Sequence, residues 1–387
     1  MAFDWSEWLN LGLRWLHLTA GIAWIGSSFY FVWLDNHLKA VAEGEASGEL
    51  WSVHGGGFYH NQKYQVAPAQ MPDELHWFKW EAYFTWISGF SLLVLIYYVG
   101  AASFLIDPAK AALSPAQGIA IGLASLALGW LVYDGLCRSP VGSSNLALGA
   151  FWFACLLFAA SLLDSLFNAR AAYMHVGAMI GTAMVANVFF IIIPNQRKVV
   201  ADLVAGRTPD PALGAAAKQR SLHNNYMTLP VLFIMISSHY PMTYGAGRPW
   251  AVLALLGLTG VAVRHVFNLR GRGRPTGRAI ALAAALALAS VAYVSWEKGG
   301  RSAAGPAQHV TYAEIAPILT VHCAGCHNVE SPPRGVTLDS FEHVSAVSAR
   351  IKAVAVDTQV MPLGNVTRMT PAERQRLGAW IAAGSPR

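Results

Sequence analysis

Apolar residues in this chain come in long unbroken blocks, not in the short alternating clusters of a surface helix. A helix crossing a hydrocarbon core needs about 20 apolar residues. Eight stretches approach that length, at roughly 11–34, 82–106, 116–136, 146–168, 172–194, 224–241, 250–269 and 278–296. The sixth is short and ends at Pro241. After Trp296 the blocks stop: Glu297 to Gln308 reads EKGGRSAAGPAQ, a Gly/Ala/Pro linker, and a polar segment follows. The pattern predicts an all-α protein. Residues 1–297 form a polytopic membrane helix bundle of about eight spans, 298–310 a linker, and 311–387 a small α-helical domain.

Composition agrees with this division. The chain is 55% hydrophobic and 12% charged, about half the charge of a soluble protein. Four cysteines among 387 residues exclude a disulfide-built scaffold. A net charge of +6 would suit nucleic acid, but the basic residues fall beside apolar blocks, so lipid is the expected partner and nucleic acid is not. One alternate set of connecting loops holds 13 Lys and Arg, the opposite set 3. Positive charge stays on the cytoplasmic side, which predicts both termini outside. Trp5, Trp8, Trp33, Trp77, Trp80, Trp250 and Trp296 lie near span ends as an interfacial belt.

The polar tail carries the strongest motif, Cys323-Ala324-Gly325-Cys326-His327. Two thiols two residues apart, followed by His, form the attachment pattern of a c-type haem. Cys323 and Cys326 would bond the haem vinyl groups and His327 would ligate the iron. Met361, 34 residues after that His and followed by Pro362, is the candidate sixth ligand, with Met369 as runner-up. Thr370-Pro371-Ala372-Glu373 opens a last helix with a Thr cap, Pro at its first position and Glu at its third. The expected unit is a cytochrome c domain whose haem c completes its core.

Ionisable residues inside a membrane are costly and therefore candidates for function. His17, His175, His223 and His265 lie in or at the ends of spans and form a candidate ligand set for a haem b held between helices. A hydrogen bond between helices is the competing use of each ring. The longest inter-span loop, Asp35 to Trp80, gathers His54, His60, Lys63, His76 and Lys79 among Tyr and Trp. Such length is uncommon without function. These five are the candidate catalytic or anion-binding residues, and Gly55-Gly56-Gly57 would let a planar ligand approach the backbone.

RWLHLTAGIAWIGSSFYFVWLDNH, HGGGFYHNQKY, LHWFKWEAYFTW, YMHVGAMIGTAMVANVFFIIIPNQRK and LHNNYMTLP resemble the bacterial membrane-bound urate hydroxylases of the PuuD type, in which a multi-span domain is fused to a cytochrome c. The similarity covers nearly the whole membrane part. It implies oxidation of urate with water to 5-hydroxyisourate, with two electrons leaving through the fused haem to a soluble cytochrome c or a terminal oxidase. It also implies a bacterial inner membrane, with the haem domain in the periplasm. Two other readings share the residues: a non-catalytic electron conduit fed by quinol or a partner, and a haem-linked transporter.

Overall fold

The computed structural model of the chain describes residues 5–42, 44–302, 310–330 and 332–387. The middle of the expected linker, 303–309, lies outside the described residues. The chain is mostly helical. Helix α1 (Trp5–His37) is followed by an antiparallel hairpin, β1 (Ala46–His54) and β2 (Gly57–Tyr64). Next come α2 (Trp80–Leu93), which runs on as a wider turn through Tyr98, and the short α3 (Ala101–Phe104). Helices α4 (Pro115–Arg138), α5 (Asn145–Leu166) and α6 (Ala169–Ala186) follow, and α6 continues through a wider turn into α7 (Ile193–Val204). After α8 (Pro211–Ser237) and the short α9 (Pro241–Tyr244) come α10 (Pro249–Gly271) and α11 (Gly277–Ser302). The tail holds α12 (Tyr312–Leu319), α13 (Phe341–Ala346), α14 (Ser348–Ile351) and α15 (Pro371–Ala382).

Local chemistry sets these limits. Ser114 and Gln117 exchange side-chain and backbone hydrogen bonds at the start of α4, with Pro115 at its first position. Ser144, Asn168 and Asp210 cap α5, α6 and α8 by accepting from backbone N–H groups. Five helical runs are long and apolar enough to cross a membrane: α4, α5, α6 with α7, α10, and α11 to Glu297. Their outward faces keep large apolar side chains exposed, among them Leu128, Leu131, Phe158, Leu288 and Val291, as a surface meeting lipid does. Helix α6 is the centre of the bundle, with Ala171, Tyr173, His175, Val176, Ile180 and Ala183 all buried.

Three expectations are corrected. The fold is not wholly α, because the long loop 35–80 contains the hairpin. Gly55 and Gly56 have φ of +58° and +79° and make its two-residue turn. The second span ends early: the helical run from Trp80 stops at Tyr98, and Leu105 accepts a hydrogen bond from Asn168 at 2.9 Å, which holds the chain against the start of α6. The third correction concerns α8, which begins at Pro211, thirteen residues before the expected span at 224. Arg220, expected in the loop before that span, is buried on α8 with His223, Asn224 and Asn225.

The tail has its own core of Ile315, Leu319, Cys323, Val344, Leu377 and Trp380. It meets the bundle where Gly364 (φ +60°) tucks against the carbonyls of Ser103 and Ile106; an added Cβ would lie 2.5 Å from the first. Phe78, two residues before α2, meets Phe31 of α1, which lines a cleft with β2, whereas α3, just past the far end of α2, carries the Ser103 that Gly364 meets. Hairpin and tail therefore sit at opposite ends of the bundle.

Candidate functional site

Three places in this frame hold chemistry. At the hairpin end, a cleft of about 320 Å³ lies between the last turns of α1 and strand β2, lined by Phe31, Asp35, Asn61, Lys63 and Tyr64 among others. Lys63 donates to Asp35 at 2.7 Å, and both are substantially exposed. Asn61 Nδ2 is buried, with no hydrogen-bond partner among the described residues. His60 stacks on Trp51 at 4.1 Å between ring centroids and meets Glu49 at 2.7 Å. His54 closes the strand pair opposite Gly57, away from the cleft lining. His76 lies edge-on to Phe78, and the Lys79 ammonium lies 5.2 Å from the centre of the Trp80 ring. Of the five loop candidates, the structure places Lys63 in the cleft and leaves the other four outside its lining.

The four membrane histidines are held by four different sets of neighbours. His175 is fully buried; its Nδ1–H donates to the Ala171 carbonyl at 2.8 Å and its Nε2 lies 3.2 Å from the Tyr98 hydroxyl. His223 is likewise engaged at both nitrogens, by the Tyr133 hydroxyl at 2.8 Å and Asn145 Oδ1 at 3.1 Å. His17 donates from Nδ1 to the Thr85 carbonyl at 2.9 Å, and His265 meets the Tyr226 hydroxyl at 2.8 Å through Nδ1. Among the described residues those two rings have no hydrogen-bond partner at Nε2.

The space around His175 is tight. A Cβ on Gly122 would stand 2.7 Å from its Nε2 and 2.8 Å from the Tyr98 hydroxyl. Gly122→Ala is therefore expected to destabilise the bundle by about 1–2 kcal/mol, the clash exceeding the gain in helix propensity. A thermal midpoint in detergent that rises instead would reject this packing.

The third place is built from residues outside the His and Lys candidates. Arg220, 4% exposed, pairs with Asp134 at 2.6 Å and donates to Asn187 at 3.2 Å. Asn187 in turn donates to Tyr133 and Asn224. Beside this network, Asn225 Oδ1 accepts from Arg264 Nε and from Asn268 Nδ2, both at 2.9 Å. The Arg264 guanidinium stacks on Phe29 with its carbon 3.7 Å from the ring centre. One signal was available in the sequence: Arg264 is a lone guanidinium inside the apolar stretch 250–269.

In the tail, α12 is capped by Thr311 and Glu314 and leads through a wider turn to Cys323. Cys323 is buried, with its thiol pushed up to about 11 by that burial, and Cys326 is exposed. His327 Nδ1–H donates to the Val336 carbonyl at 3.0 Å, which fixes the ring and leaves Nε2 as the free donor atom. Met361 packs at the edge of the tail's core, whereas Met369 is buried in it, 2% exposed. Arg374 ties down the Met361 segment, donating to the Met361 carbonyl at 2.6 Å, to Asn365 Oδ1 at 3.2 Å and to the Ala355 carbonyl. A haem c fits this donor set: two thiols, an oriented imidazole and a thioether beside an apolar core.

Glu373 accepts from the Thr370 amide and hydroxyl, both at 2.7 Å, and meets His322 at 3.2 Å. These hydrogen bonds, the Thr370 amide first, hold its carboxyl down to about 2 from an ordinary 4.5. A depressed acid stabilises the fold above its unfolded value and loses that contribution as pH falls through its folded value. Tail stability is expected to decline between about pH 4.5 and 2, and Glu373→Gln should flatten that part of an acid titration. An equally steep titration in the variant would refute the assignment.

The urate oxidase N-terminal family profile matches residues 4–295. No curated protein and no solved structure matches the chain.

Proposed function

The chain belongs to the urate oxidase N-terminal family, and on that premise we propose that it is a membrane-bound enzyme that oxidises urate with water to 5-hydroxyisourate. The reaction balances as urate plus water giving 5-hydroxyisourate, two protons and two electrons. The observation that carries the electron-accepting half is the His327 imidazole, held by Val336 with Nε2 free, directly after the two thiols of Cys323 and Cys326. Those residues, with Met361, would hold a haem c, which supplies a one-electron carrier at the end of the bundle opposite the hairpin. A haem b in the membrane part would draw on His17 or His265, whose Nε2 atoms are open, and not on His175 or His223. The proposed setting is a bacterial inner membrane, with hairpin and cleft cytoplasmic and the tail periplasmic. A soluble cytochrome c or a terminal oxidase would take the electrons onward.

Adding urate anaerobically to the purified protein tests this reading through the haem c absorption. Reduction is expected. A haem-replete protein that urate does not reduce, but that quinol does, would make the chain an electron conduit; urate uptake into liposomes independent of haem redox state would make it a transporter. Within the tail, Met361→Ala should remove the weak Met-to-iron band while Met369→Ala keeps it. The opposite pattern would exchange their roles.

A further inference from the structure

Two guanidiniums are buried in this bundle, and their surroundings differ in one respect. Arg220 has the Asp134 carboxylate. Arg264, 6% exposed, has no carboxylate partner among the described residues: its Nε is bonded to an amide oxygen and one face rests on Phe29. A buried cation without a counter-charge is disfavoured unless something neutralises it. Two further groups at the same spot are incomplete. Among the described residues, wholly buried Asn225 has no partner for its Nδ2, and Asn268, 4% exposed, has none for its Oδ1. A ligand that satisfied these groups would have a definite chemistry. It carries negative charge for the Nη edge of Arg264, an acceptor for Asn225 Nδ2 and a donor for Asn268 Oδ1, and it is thin enough for a site walled by an aromatic ring.

We propose that Arg264, Asn225 and Asn268 form the binding site for a planar anionic heterocycle with ring N–H and carbonyl groups; identifying that ligand as urate rests on the function proposed above. The guanidinium takes the anionic edge through Nη1 and Nη2, and the two amides read one acceptor and one donor beside it. Gly271 at the end of α10 lies against Asn36 at the end of α1, so Arg264 sits toward the hairpin end of the bundle. This is the end that the loop charges assign to the cytoplasm.

The test is equilibrium dialysis of urate against the full chain in nanodiscs, with the haem reduced beforehand so that no oxidation follows binding. Arg264→Gln should weaken binding by about 100-fold, the usual effect of removing one member of a buried charge pair. Asn225→Asp separates binding from folding, because it gives Arg264 an internal counter-charge. Its melting temperature should not fall, yet urate binding should be lost. Either variant, folded by its far-UV circular dichroism and unfolding midpoint and binding urate like the wild type, would overturn the site. Xanthine and orotate are dialysed alongside. If the wild type binds one of them through Arg264 but not urate, the site stands and the urate reading fails; if it binds none of the three, the site fails. Urate bound through Arg264 without haem reduction in the anaerobic test would keep the site and refute the oxidation.

Discussion

Asp134→Ala is expected to destabilise the bundle by about 3–5 kcal/mol, because it strands a buried guanidinium. Arg220 has 5% of its side chain exposed and its charge partner is Asp134 at 2.6 Å. Its other contacts, Asn187 and the faces of Trp130 and Tyr133, are neutral. Removing the carboxylate leaves those contacts intact and takes away the compensating charge, along with the exposed Arg138 bridge to the other carboxylate oxygen at 2.7 Å, a surface contact of small value. Much of the loss would therefore belong to the unpaired Arg220, not to the value of the bond itself. The double variant Asp134→Leu with Arg220→Met removes both charges and should recover most of the stability, since well-packed apolar pairs commonly replace buried ion pairs without loss. Equilibrium unfolding in mixed micelles reads both. A single variant as stable as the wild type would mean that the pair is solvated and the network is not a closed part of the bundle.

Trp380→Ala is expected to cost about 3–5 kcal/mol in the tail, the range for deleting a fully buried large aromatic. Trp380 is 0% exposed, packs in one cluster with Ile315, Leu319 and Leu377, and donates from its indole N–H to the Pro386 carbonyl at 2.7 Å. Deletion opens a cavity and leaves that carbonyl without its donor. The tail is small, so a loss of this size should lower its melting temperature by well over 10 °C, with about 4–8 °C expected per kcal/mol. Near-wild-type melting would show that the indole is peripheral and that Leu377 and Ile315 suffice.

What could be read beforehand follows the range over which each signal acts. The apolar blocks that became α4, α5, α10 and α11 are local and continuous, and so were legible to within a few residues. The motif at Cys323–His327 is likewise local. The hairpin turn at Gly55-Gly56 was visible as two glycines between extended segments, but its pairing depends on register across the strands, and it was read as a ligand cradle. The early start of α8 escaped because Lys218, Gln219 and Arg220 lower the hydropathy of the turns before 224, although Arg220 and His223 there are buried. The meeting of Asn225, Arg264 and Asn268 is a property of two packed helices separated in sequence, so no spacing rule reaches it. The same holds for Val336, nine residues after His327, whose carbonyl orients the imidazole.

In the proposed reaction urate is oxidised with oxygen from water while both electrons leave through the tail. Anaerobic turnover in ¹⁸O-labelled water with excess oxidised cytochrome c tests it most directly. The expected result is two cytochrome c molecules reduced per urate consumed, with the label in 5-hydroxyisourate. No turnover without oxygen, together with hydrogen peroxide formed when oxygen is present, would contradict it.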